Sequence, residues 1–172
     1  IRFPKHPIAR RLLKILKTPL AAPSANMSSK LSSTSAMDVV DEFGKKINFI
    51  LDGGKCKIGL ESTIIDLTDK PTILRQGSIT AEVIYKILKK KIILKSKLKN
   101  IISPGQLKSH YSPGIPVYMN KIKANTGGAF ITFGNKFKSA KNTFNLSINN
   151  NLNEAANNLY KTMRKIKKSG FT

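Results

Sequence analysis

Pro19-Leu20-Ala21-Ala22-Pro23-Ser24-Ala25-Asn26 is a short apolar run closed by a polar turn, and the rest of the chain is read outward from it. Leu20, Ala21 and Ala22 suit a buried strand, Pro23 stops its ladder, and Ser24 and Asn26 are left at its C-terminal end. In α/β proteins ligands gather at such strand ends. The two side chains have a plainer use as well, since Ser and Asn routinely satisfy turns. Two more polar segments, Gly59-Leu60-Glu61-Ser62-Thr63 and Leu74-Arg75-Gln76-Gly77, adjoin runs rich in Ile and Leu. Hydroxyls, an amide and a guanidinium at three strand ends predict a polar small-molecule site in an α/β fold.

Around that turn the periodicity gives the elements. Ile8, Leu12, Leu13, Ile15 and Leu16 form an apolar stripe that predicts a helix over 7–17, with Pro7 in its first turn and Thr18-Pro19 ending it. Residues 27–34 form a hydroxyl-rich loop suited to phosphate oxygens. A second helix follows over 35–43, with Ser35 as N-cap and Gly44 as C-cap, and a loop entering a helix N-terminus favours anions. Strands are expected at 47–51, closed by Asp52-Gly53-Gly54, and at 62–67 and 72–74, which pair as a hairpin across Thr68-Asp69-Lys70-Pro71. A helix over 80–90 opens at Thr80 with Glu82. Beyond a Pro- and Gly-bounded linker, 116–119 and 128–133 read as strands and 153–168 as an amphipathic helix carrying Leu159, Tyr160, Met163 and Ile166. Strand, strand, helix is the start of a second α/β domain.

Composition limits the function classes. The chain has 172 residues, enough for one domain or pieces of two. No apolar run approaches the roughly 20 residues that span a bilayer. The N-terminus has neither an initiator Met nor a signal-peptide layout, so the chain is expected to begin inside a longer sequence. With 31 Lys+Arg against 9 Asp+Glu the formal charge is +22 and the pI about 10.3. That balance favours polyanions such as RNA. It also fits an AT-biased proteome rich in Lys, Asn and Ile, because the lysines are spread along the chain. Cys56 is the sole cysteine and has no Cys or His at metal-ligand spacing, which suits a reducing compartment.

Acid–base chemistry has few candidates. His6 and His110 are the only histidines and lie far apart, with no triad spacing. Asp38, Asp41, Asp52, Glu61 and Asp66 show no paired-acid or metal-ligand spacing. What remains is a binding set of Ser and Thr hydroxyls, Asn26 and Arg75, suited to a reaction dominated by positioning and charge neutralisation, such as transfer at phosphorus. Arg75 has an alternative use in a surface ion pair, and Tyr111 in packing its linker onto the domain.

Arg2-Phe3-Pro4-Lys5-His6-Pro7, Ala22-Pro23-Ser24-Ala25-Asn26, Leu51-Asp52-Gly53-Gly54, Gly59-Leu60-Glu61-Ser62-Thr63-Ile64-Ile65-Asp66, Leu74-Arg75-Gln76-Gly77, and Ser103-Pro104-Gly105 with His110-Tyr111-Ser112-Pro113 stand in an order and spacing that resemble one family. It is the YrdC-like threonylcarbamoyl-adenylate synthase family, in its longer two-domain form. The resemblance implies residues 1–95 as the C-terminal part of a YrdC-like domain with a twisted mixed sheet and flanking helices. It implies 96–115 as a linker and 116–172 as the N-terminal part of a Rossmann-like domain. The implied reaction joins L-threonine, bicarbonate or CO2, and ATP into threonylcarbamoyl-adenylate and pyrophosphate, for threonylcarbamoyladenosine in tRNA. Ser24, Ser62 and Arg2 are implied to contact L-threonine. Asn26, Thr34, Arg75 and Tyr111 are implied to hold the nucleotide, with Tyr111 reaching back from the linker as a flap.

The resemblance further implies Mg²⁺ with the ATP, a cytoplasmic location, other tRNA-modification proteins as partners, and no catalytic acid or base. The family's N-terminal lysines and arginines, which grip the triphosphate, have no counterpart here, so this piece alone is expected to be inactive. Gln76 stands where proline is common, and Ser29 where the hydroxyl-rich loop has glycine. Two other readings remain open at this point: a basic module binding double-stranded RNA, and the YrdC-like part of a hydrogenase-maturation carbamoyltransferase. The linker motif speaks against the latter.

Overall fold

The structure, a computed structural model, describes residues 4–94, 103 and 110–171. The chain divides into two compact units, one of 1–27 with 32–56 and another of 28–31 with 57–172.

In the first unit α1 (Pro7–Leu16) starts at Pro7, whose fixed φ and missing N–H cost nothing there. It ends at Lys17, which turns left-handed and donates its N–H to Leu13 O. α2 (Ala36–Phe43) carries a full capping box: Ser35 Oγ accepts from Asp38 N while Asp38 reaches back to the Ser35 N–H. Gly44, at φ +52°, closes it and leads into a 3-10 turn, Gly44–Lys46. The Asp52-Gly53-Gly54 turn forms as its sequence predicts, with Gly54 N donating to Asp52 Oδ1 at 2.7 Å and His6 Nε2 donating to Gly53 O at 3.0 Å. The strands expected at 20–22 and 47–51 do not form. Among the described residues no neighbour supplies them with a ladder, and Leu20 and Phe49 are exposed by 49% and 90%. Apolar composition alone does not make a strand.

In the second unit β1 (Ile64–Asp66) and β2 (Thr72–Arg75) pair antiparallel as the expected hairpin. α3 (Ala81–Leu88) then crosses over to β3 (Ile93–Leu94), which lies parallel to β2. A three-stranded mixed sheet results, in the order β1-β2-β3. Ile73 in β2 and Ile84 in α3 supply its buried apolar side chains. Thr80 sits at the N-cap of α3 without capping the backbone, and its side chain bonds Glu82 instead, holding that exposed carboxyl below its ordinary pKa.

Farther along the same unit β4 (Phe130–Thr132) and β5 (Thr143–Asn145) pair parallel, and α4 (Leu152–Lys168) follows. β5 is not legible in its sequence, and 116–119, expected as a strand, pairs with nothing among the described residues. Side-chain amides fix this region. Asn145 Nδ2 donates to Gly134 O, Asn158 Nδ2 to Leu146 O, and Asn151 Oδ1 caps α4 by accepting from Asn153 N and Glu154 N. Ser147, 2% exposed, is satisfied on both sides: its hydroxyl donates to Glu154 and accepts from Asn151 N. The fold class is therefore mixed α/β, as expected. Most of the linker at 96–115 lies outside the described residues.

Candidate functional site

Arg75 ends β2, opposite Ile64, at an irregularity in the hairpin register. That placement sets its side chain against the segment leading into β1. Nε donates to Ser62 O at 3.0 Å, Nη2 donates to Ser62 Oγ at 3.2 Å, and Nη1 donates to Tyr111 OH at 2.9 Å. Glu61 Oε2 is 3.7 Å from Nη2. Arg75 is only 9% exposed, so its hydrogen bonds and the Glu61 charge offset the cost of burying its guanidinium. Gly77 makes the arrangement possible. A Cβ there would lie 2.6 Å from Ser62 C and overlap Glu61 O and Thr63 N, so only glycine lets the chain after Arg75 approach the Ser62 backbone.

Tyr111 has φ +56°, a left-handed conformation that costs a bulky L-residue about 1–2 kcal/mol. Several contacts hold it. Its hydroxyl accepts from Arg75, its ring lies edge-on to His110 with centroids 4.0 Å apart, and it stacks on Tyr160 of α4 at 6.1 Å and 23°. The next residue, Ser112, bridges to Lys30 and donates its N–H to Ser29 O at 2.9 Å. Burial pushes the Tyr160 hydroxyl up to about 12, with the Glu61 and Tyr111 charges adding and Arg75 and Arg164 opposing. Ser29 itself is at φ +66°, so the serine standing where glycine is usual adopts glycine's backbone geometry.

In the first unit the turn 24–27 is tied down by its neighbours. Asn26 N donates to Ser24 O, Asn26 Nδ2 donates to Met27 O, Ser33 Oγ donates to Ala25 O at 2.6 Å, and Met27 N donates to Glu42 Oε1. Thr34 donates both its N–H and its hydroxyl to Asp38 Oδ2, each at 2.8 Å. The anion at this helix start is thus the Asp38 carboxylate. Of the expected site residues, Ser62, Arg75 and Tyr111 meet in the second unit, Ser24, Asn26 and Thr34 lie in the first, and Arg2 lies outside the described residues. Sequence reading missed Tyr160, which it placed in an apolar helical stripe, and Glu61, which it left without a partner. Among the described residues no group of three His, Cys, Asp or Glu side chains could hold a metal, and no helix is long and apolar enough to cross a membrane.

Comparison with known proteins places these features. Residues 1–77 match the Sua5, YciO and YrdC family profile, described as telomere recombination, and residues 79–172 match the profile for the threonylcarbamoyl-AMP synthase C-terminal domain. A threonylcarbamoyl-AMP synthase of Pyrococcus abyssi is 48% identical over 89 residues, covering 51% of this chain and 26% of that protein. The Schizosaccharomyces pombe enzyme of the same name is 49% identical over 85 residues, covering 49% and 21%. The crystal structure of P. abyssi Sua5 complexed with L-threonine superposes on 99% of this chain and 55% of its own, with TM-score 0.79 and 30% identity. A P. abyssi Sua5 variant in which a His-Tyr pair is replaced by alanines superposes with the same TM-score. The chain therefore spans about half the length of the solved relatives. Through a profile that covers more than half of its residues and a hairpin-and-helix fold shared with Sua5, it belongs to the two-domain threonylcarbamoyl-AMP synthase family.

Proposed function

We propose that the full-length protein is an L-threonylcarbamoyladenylate synthase, a nucleotidyltransferase of tRNA modification, and that this chain carries the threonine and adenylate parts of its site. The supporting observation is the buried Arg75 guanidinium, held between the Ser62 hydroxyl and the Tyr111 hydroxyl in a chain that superposes on a relative crystallised with L-threonine. In this reading Ser24, Ser62 and Arg2 bind threonine, while Asn26, Thr34, Arg75 and Tyr111 bind ATP. The threonine amine forms a C–N bond to CO2 with loss of a proton, or to bicarbonate with loss of water, to give a carbamate. A carbamate oxygen attacks the α-phosphorus, the P–O bond to the β-phosphate breaks, and pyrophosphate leaves.

A desolvated arginine stabilises charge that grows on the phosphoryl oxygens. Tyr111 closing over the site would keep water from the labile product. Mg²⁺ enters this reading with the triphosphate, as part of the substrate. We also assign 1–95 to the YrdC-like domain, 96–115 to the linker and 116–172 to the Rossmann-like domain. The profiles meet between 77 and 79, and the pairing of β3 with β2 through Leu94 supports a boundary near residue 95 in this reading. A cytoplasmic location and partners in tRNA modification go with this function.

The test is pyrophosphate release by the full-length protein with and without threonine and bicarbonate. Release should require both, and release indifferent to threonine would overturn the assignment. The net charge of +22 favours one second reading, a surface for double-stranded RNA.

A further inference from the structure

Helix α4 contributes to the Arg75 cluster through one ring. Tyr160 is 7% exposed, and its ring stacks on Tyr111, whose hydroxyl meets the guanidinium. One turn farther along α4, Arg164 Nη2 donates to Leu31 O at 2.7 Å. Leu31 closes the short segment whose Ser29 and Lys30 hold Ser112, the residue after Tyr111. The helix backbone is itself seated closely. A Cβ on Gly59 would lie 2.6 Å from Asn157 O, and Asn157 Nδ2 donates to Lys57 O. α4 therefore touches Tyr111 on its ring and, through Leu31, on its backbone side.

We propose that Tyr160 is a positioning residue: its buried ring holds Tyr111 in the left-handed conformation that brings the Tyr111 hydroxyl to Arg75, so the seating of α4 sets the affinity of the site for the nucleotide. The proposal rests on the reading of Arg75 and Tyr111 as nucleotide-binding residues. It assigns a second-domain helix a role in the first domain's site without any contact to substrate. A ring is what the geometry requires, so phenylalanine should serve and the flexible, ringless side chain of methionine should not.

The experiment compares Tyr160→Phe and Tyr160→Met in the full-length protein by two readouts. Amide exchange at Ser112, whose N–H bonds Ser29 O directly after the turned Tyr111, should quicken about tenfold in Tyr160→Met and stay at the wild-type rate in Tyr160→Phe. The KM for ATP should rise about tenfold in Tyr160→Met, equal to about 1.4 kcal/mol, with the KM for threonine unchanged and Tyr160→Phe restoring it. Unchanged Ser112 exchange in Tyr160→Met would overturn the proposal, as would faster exchange with an unaltered KM for ATP. A wild-type protein that fails to bind ATP would refute the functional reading instead, and Ser112 exchange would then decide the brace alone. Should Tyr160→Met not fold, the Tyr111 ring-proton shifts of the unaltered protein decide. Displacement by the Tyr160 ring current is expected, and values of an unstacked tyrosine would overturn the proposal.

Discussion

At the scale of single residues, two of the strained backbone conformations stand beside the Arg75 cluster. Tyr111 and Ser29 both lie at positive φ, and hydrogen bonding through Ser112 joins them. Tyr111 gains a ring stack and an arginine bond in exchange, contacts that glycine could not make. Ser29 gains nothing comparable, since what the loop uses is its carbonyl, and glycine has one as well. Ser29→Gly should therefore stabilise the protein by up to about 1.5 kcal/mol, the left-handed penalty of ~1–2 kcal/mol less the ~0.5–1 kcal/mol of extra chain entropy that glycine loses on folding. Denaturant unfolding would register this as a higher midpoint at unchanged slope. A lower midpoint would mean that the hydroxyl contributes more than the backbone geometry costs.

Among the elements, helices were legible and strands much less so. Pro7, the Ser35 and Asp38 box, Gly44 and Asn151 mark helix ends by local chemistry, which the sequence displays directly. Strands need neighbours. The runs at 20–22, 47–51 and 116–119 have the composition but no ladder among the described residues. β3 and β5 have short, unremarkable sequences and exist because β2 and β4 offer an edge. Tyr160 was hidden for a related reason, since an aromatic in an amphipathic stripe reads as core until its partner is seen.

The burial of Tyr160 has a measurable consequence for α4. Its folded pKa is raised to about 12 from the ordinary 10, so the native state holds this proton more tightly than the unfolded chain does. Its contribution is fully present below pH 10 and is lost as the pH climbs through 12. At ~1.4 kcal/mol per unit, reduced for solvent screening, wild type should lose on the order of 1–2 kcal/mol more than Tyr160→Phe across that window. Parallel alkaline slopes for the two proteins would show that the hydroxyl is not buried on folding.

For the molecule as a whole, Ser62, Arg75 and Tyr111 could be singled out in the sequence because they stand in short segments at element ends, where turn residues are conspicuous. What gathers Ser62, Arg75 and Tyr111 was not legible, because Gly77 and Tyr160 act through close approach and stacking across long sequence separations. Charge is the property that composition states outright and structure interprets least. Basic side chains number 31 against 9 acidic ones, and of the acids Glu61 is already taken up by the buried Arg75, so the folded protein repels itself. Added salt screens that repulsion and should raise the unfolding midpoint. If the same charge also forms a surface for duplex RNA, salt must act in the opposite direction on binding, because each phosphate neutralised releases counterions and log K falls by about 0.9 per phosphate for each decade of salt. Measured side by side between roughly 0.05 and 0.2 M salt, stability should rise while RNA affinity drops by tenfold or more. Rising stability with salt-independent or undetectable RNA binding would mark the lysines as products of composition, whose only physical effect is to strain the fold at low ionic strength.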